Sequence, residues 1–146
     1  MSLSESLFHN TLRLHQLLYE RSDGLIGHKL LGGHPALLLR TTGRKSGKPR
    51  TNALIYAEDG GRFLVVASKG GSDQAPGWLF NLEADPHVEM QIGRKRRPTT
   101  ATVIKRDDPD YGRVWKLVND NNDDRYDAYQ RSTSRPIPVV ALTPES

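Results

Sequence analysis

The stretch that decides the fold is Arg50-Thr51-Asn52-Ala53-Leu54-Ile55-Tyr56-Ala57-Glu58-Asp59-Gly60-Gly61-Arg62-Phe63-Leu64-Val65-Val66-Ala67-Ser68. Its first half alternates, with Ala53, Ile55 and Ala57 on one side and Asn52, Leu54 and Tyr56 on the other. A period of two is the mark of a strand whose faces meet different surroundings. Glu58-Asp59-Gly60-Gly61 then carries the Asp-Gly chemistry of a tight hairpin turn, and an apolar run follows it. Strands joined by so short a turn run antiparallel, because a parallel pair needs a long crossover, usually helical.

Strand signals recur on both sides of this hairpin. Residues 36–42 open with Ala36-Leu37-Leu38-Leu39. Residues 87–93 and 98–105 read as two strands around the basic turn Arg94-Lys95-Arg96-Arg97, and residues 137–142 close the series with a β-branched strand. Helical signals fall at 4–19, 78–84, 107–118 and 123–130, the second stopped near Asp85-Pro86. Successive strands are joined mainly by turns, so a doubly wound parallel sheet is excluded. The expected fold is α+β: an amphipathic helix and connector over 1–35, then a small antiparallel barrel over 36–146 with helices inserted late.

Composition bounds the function. One hundred and forty-six residues suffice for one domain with a real core. Twenty-one Lys and Arg against 17 Asp and Glu leave a net charge of +4, unevenly spread. Positives gather at 40–50 and 94–97, negatives at 107–110 and 120–127. Without cysteine there is no disulfide frame, thiolate nucleophile or Cys-based metal site. The five histidines show no ligand-like pairing, so no metal is expected. No stretch reaches the roughly 20 apolar residues of a membrane span. No signal peptide is expected either, and the expected location is the cytoplasm. The first helix is a candidate for peripheral contact with the inner face of the cell membrane.

The chemistry gathers in two loops. Thr41-Thr42-Gly43-Arg44-Lys45-Ser46-Gly47-Lys48-Pro49-Arg50 follows a strand, holds four cations, and no acid appears between Arg40 and Ala57. Lys offers point charges and Arg a planar fork, which suits a phosphate or another anion. The G-x-x-x-x-G-K-[ST] spacing is absent, so this is not a Walker loop. Ala67-Ser68-Lys69-Gly70-Gly71 leaves another strand with small residues, a hydroxyl and one Lys. A flat ring fits against such a backbone, with Ser68 and Lys69 donating hydrogen bonds and Trp78 as a wall or a core residue. Neither basic cluster contains an aromatic residue, and aromatics are 7% overall. Single-strand binders interleave aromatics with cations, so no nucleic-acid partner is expected.

These two loops, with P-G-W-L-F-N-L at 76–82, A-D-P-H-V at 84–88 and R-P-I-P-V-V at 135–140, resemble the deazaflavin-dependent nitroreductase family of actinobacteria. The resemblance implies a split β-barrel related to FMN-binding oxidoreductases. It also implies coenzyme F-420, a deazaflavin with a phospholactyl-polyglutamate tail that donates hydride to a quinone-like or nitroaromatic acceptor. By resemblance, Arg44, Lys45, Ser46, Gly47 and Arg50 hold the phosphate and tail. Asn52 and Leu54 lie below the ring, Val66, Ala67, Ser68 and Lys69 face it, and Pro76, Trp78 and Asn81 complete the wall. Tyr126 and Tyr129, with Ile55 and Ser68, are the implied acceptor contacts. Ile55 and Asp123 stand where nitroreductase-type members carry tyrosines. Composition alone leaves FMN open as the cofactor, since it too brings a phosphate and a tricyclic ring. It leaves the oligomeric state and the catalytic proton donor open as well.

Overall fold

The alternating segment folds as two strands with one residue between them. The computed structural model describes residues 34–145, so the expected helix over 4–19 and its membrane contact lie outside the described residues. The strands are β1 (Ala36–Thr42), β2 (Pro49–Ile55), β3 (Ala57–Asp59), β4 (Arg62–Val66), β5 (His87–Ile92), β6 (Lys95–Ile104) and β7 (Val139–Pro144). Helix α1 (Gly77–Ala84) precedes β5, while α2 (Tyr111–Asp120) and α3 (Arg125–Arg131) lie between β6 and β7. All pairings are antiparallel, in the order β2-β1-β5-β6-β7-β4-β3. The outermost strands are therefore consecutive in the chain, with only Tyr56 between them. The sheet curls into a split barrel, and the chain passes from one edge strand to the other through that residue. At the corner the Tyr56 N–H donates to the Pro35 carbonyl over 3.3 Å.

Two cores lie on the two faces of this sheet. The inner one gathers Leu37, Leu39, Tyr56, Val65, Met90, Val140 and Leu142, stoppered by Trp78, Leu79 and Leu82 of α1. The outer one joins Leu64, Val66, Ile104, Val139 and Ala141 to Tyr111, Val114 and Val118 of α2 and Tyr126 of α3. β4 is buried on both faces, which is why 63–67 reads as a continuous apolar run while 50–57 alternates. The Tyr111 hydroxyl anchors α2 by donating to the Ile137 carbonyl over 2.6 Å. Following the antiparallel pairs from β1 to β4 shows that both strands point the same way. The two candidate loops therefore leave the barrel at one end.

Some boundaries differ from expectation. β6 starts at Lys95, because Met90, Gln91 and Ile92 pair with Arg97, Arg96 and Lys95. Only Gly93-Arg94 remains as turn, so sheet pairing absorbs most of the basic run. Helix α2 starts at Tyr111 rather than 107, since an Asp108 carboxylate oxygen accepts the Asp110 N–H (2.8 Å) in a preceding turn. Helix α3 starts after Asp123 and Asp124, both left-handed at φ 53° and 57°.

Candidate active site

The cationic loop is a closed knot. The Gly43 N–H donates to the Lys48 carbonyl and the Gly47 N–H to the Gly43 carbonyl, both over 2.8 Å. A Cβ on Gly43 would lie 2.7 Å from Ser46 Oγ and 3.1 Å from the Lys48 oxygen, so a larger residue would push the Ser46 hydroxyl aside and crowd that carbonyl. Ser46 Oγ accepts the Lys48 N–H over 3.2 Å, which leaves its own proton available. Asn81 of α1, 5% exposed, fastens the loop. Its Oδ1 accepts from the Arg44 N–H (3.1 Å) and Arg44 Nη1 (3.0 Å), and its Nδ2 donates to Thr41 Oγ1 (3.2 Å). The Arg44 guanidinium also stands 5.1 Å over the Phe80 ring, a cation–π contact.

Between this knot, β2 and α1 opens a cleft of about 310 Å³. Gly43, Arg44, Lys45 and Ser46 line it from the loop, Arg50 and Asn52 from β2, and Gly77, Trp78 and Asn81 from α1. Alternation turns Arg50, Asn52 and Leu54 to one side, and Leu54 continues down into the inner core. The lining holds three cations and no carboxylate. Arg44 is engaged by Asn81, but Lys45 and Arg50 have no hydrogen-bond or ion-pair partner among the described residues. Several other cations are matched: Arg40 to Glu89, Arg62 to Asp59 and Asp110, Lys116 to Asp120. Two cations without a partner thus stand in a concave lining that holds no acid.

The second loop begins beside the inner core at Ala67, whose N–H donates to the Pro138 carbonyl over 3.1 Å. Ser68 and Lys69 are half-buried, and Ser68 Oγ accepts the Gly71 N–H over 3.1 Å. Gly71 has φ +80°, and a Cβ there would stand 3.2 Å from Tyr129 Cα and from Ser132, so the loop lies flush against α3. Pro76 is buried at the N-cap of α1. Helix α1 turns Leu79 and Phe80 toward a second cavity of about 500 Å³, bounded also by Ala75, Val103, Arg135 and Pro138.

Arg44, Lys45, Ser46, Arg50, Asn52, Trp78 and Asn81 thus share one cleft, with Gly47 in the knot beside it. Ser68 and Lys69 belong to the second loop, whose Gly71 abuts the Tyr129 backbone. Three expected contacts sit elsewhere: Val66 in the outer core, Ile55 on the face of β2 opposite Asn52 and Leu54, and Tyr126 in the outer core at 8% exposure. Burial pushes the Tyr126 phenol up to about 12 and also raises that of Tyr129. Sequence reasoning gave no role to Thr41, Asp73, Thr133 or Arg135. Their parts depend on partners 40 to 68 positions away.

Residues 11–144 match the model of the F420H(2)-dependent quinone reductase family. The chain belongs to this family. An F420H(2)-dependent quinone reductase of Mycobacterium tuberculosis is 54% identical over 132 residues, 90% of this chain and 89% of the relative. A solved F420-H2 dependent reductase (FDR-A) is 40% identical with a TM-score of 0.64, covering 74% of this chain and 93% of that one. A structure solved as a domain-swapped dimer is 34% identical with a TM-score of 0.67, covering 97% and 99% of the two chains. The resemblance read from the two loops holds, as does the split-barrel fold. The F420H(2)-dependent quinone reductase family uses coenzyme F-420, so this chain is a deazaflavin-dependent oxidoreductase.

The residues present fit that cofactor. A phosphate and a carboxylate tail need unpaired donors in a lining free of acids, which Lys45, Arg50 and Ser46 supply. Among the described residues no three His, Asp or Glu side chains are placed to share a metal ion.

Proposed function

We propose that this reductase transfers reducing equivalents from F-420H2 to a quinone-like acceptor, with nitroaromatics as a second acceptor class. The cleft with two unmatched cations and no carboxylate, at the barrel end from which the second loop also leaves, carries this reading. Lys45, Ser46 and Arg50 would hold the phosphate and tail. Asn52 and Leu54 would lie below the ring, with Ala67, Ser68 and Lys69 at its edge. When bound, the reduced cofactor supplies a hydride, two electrons in one step. The protein binds, aligns and keeps out water; fixing two flat partners face to face contributes several kcal/mol of barrier reduction, on the order of 7–11 at the limit.

Ser68 Oγ, which accepts a hydrogen bond from Gly71, keeps its own proton to donate. Tyr129, whose backbone abuts the second loop, is better placed than buried Tyr126 to border the acceptor. Purified protein mixed with F-420H2 and a soluble naphthoquinone should restore the absorbance of oxidised cofactor much faster than the protein-free mixture. Equal rates would end the proposal. Protein that retains yellow flavin and ignores F-420 would favour FMN instead.

A further inference from the structure

We infer that Arg135, with Thr133 beside it, is the positioning residue for the second loop, an inference resting on the reading of that loop as the face turned to the cofactor ring. The loop makes few bonds of its own: Gly71 N–H to Ser68 Oγ, and Ser72 N–H to the Lys69 carbonyl, both over 3.1 Å. Its fastening comes from the connection between α3 and β7. Arg135 Nη1 donates to the Ala67 carbonyl (3.3 Å) and Nη2 to the Ser72 carbonyl (3.4 Å). One guanidinium therefore bridges the loop's entry and exit, which a planar fork does and a single ammonium does not. At the exit the Thr133 hydroxyl donates to an Asp73 carboxylate oxygen over 2.5 Å. Gly71, with no room for a side chain, presses the middle of the loop onto Tyr129 and Ser132.

The fastening side carries hydrogen bonds of its own. The Gln130 side-chain amide donates to the Arg135 carbonyl over 2.8 Å, and its Oε1 accepts the Ile137 N–H over 2.9 Å. The Arg135 N–H donates to Thr133 Oγ1 over 3.1 Å, joining the two clamp residues. None of these residues lines the cationic cleft. The clamp therefore acts on where Ser68 and Lys69 stand, not on how the anionic tail is held. Misplacing reacting partners by about 1 Å costs on the order of a hundredfold in rate, so such a clamp belongs to turnover.

Hydrogen exchange of the cofactor-free protein tests the clamp without any reaction. In Arg135→Met the amides of 68–72 should exchange at least about tenfold faster, with β1 and β7 unchanged; Arg135→Lys should recover part of the protection. In turnover with F-420H2 and a naphthoquinone, Arg135→Met should lose roughly 10- to 100-fold in kcat. Its affinity for oxidised F-420 should change less than about threefold. Unchanged loop exchange overturns the inference, as does a parallel fall of kcat and affinity that simply tracks lost folded protein. If Arg135→Met does not fold, Thr133→Val should show the same pattern more weakly, and wild-type behaviour there overturns it too. A wild type that binds no F-420 defeats the cofactor reading, while the exchange result still decides the clamp.

Discussion

Lys45 and Arg50 are the two cleft cations whose side chains have no hydrogen-bond or ion-pair partner among the described residues. Each would form a charge-assisted bond worth about 1.5–3 kcal/mol. With neighbouring cations compensating in part, Lys45→Ala/Arg50→Ala should weaken F-420 binding by about 2–4 kcal/mol, read by fluorescence titration. Both residues are exposed, so the thermal midpoint should scarcely move. Undiminished affinity in a folded double variant would remove the anion site. Four cations, two glycines and a missing acid are written consecutively in the chain, so this chemistry was legible before the fold was known. What Asn81 does was not: its amide is used on Arg44 and Thr41, residues joined to it only by folding.

A network of four charges ties α2 to the hairpin of β3 and β4. Arg113 of α2 grips the Asp59 carboxylate with both terminal nitrogens (2.8 and 2.9 Å), and Arg62 of β4 bonds Asp59 (2.9 Å) and Asp110 (3.0 Å). The hydrogen bond from Arg113, ahead of that from Arg62, lowers the Asp59 carboxyl from 3.8 to about 2. A carboxyl depressed by folding stabilises above its unfolded value, and that stability goes as pH falls through the folded one. Asp59 should therefore add a modest stability above about pH 4, because Arg113 is 52% exposed and solvent screens the pair. Denaturant melts of the wild type and Asp59→Asn at stepped pH should differ above pH 4 and converge near pH 2. A constant gap across that range would contradict the assignment. The hairpin carrying Asp59 was evident from Asp-Gly and the alternation before it, whereas its tether to α2 spans 54 positions and has no local signal.

At the scale of the whole molecule, a net charge of +4 combines with a cleft whose lining carries only positive charge. Such a field steers an anionic ligand, and salt screens it, with a Debye length near 10 Å at 0.1 M and near 3 Å at 1 M. Association of F-420 followed by stopped flow should slow roughly tenfold between about 0.05 and 0.5 M salt. Salt-independent association would mean that the cleft does not attract the tail by charge.

By itself the chain determined which segments are strands, that they run antiparallel, and that two small-residue loops carry cations and a hydroxyl, because periodicity, turn chemistry and charge are local properties. It also made the family recognisable, since the motif blocks are contiguous. Only the tertiary structure decided that the two edge strands adjoin Tyr56, that both loops leave the same end of the barrel, and that Tyr126 belongs to the outer core. It alone brought Arg135 to the carbonyls of Ala67 and Ser72. Those outcomes rest on which distant strands pair and which face a helix covers, and pairing between remote segments leaves no mark in the spacing of neighbouring residues.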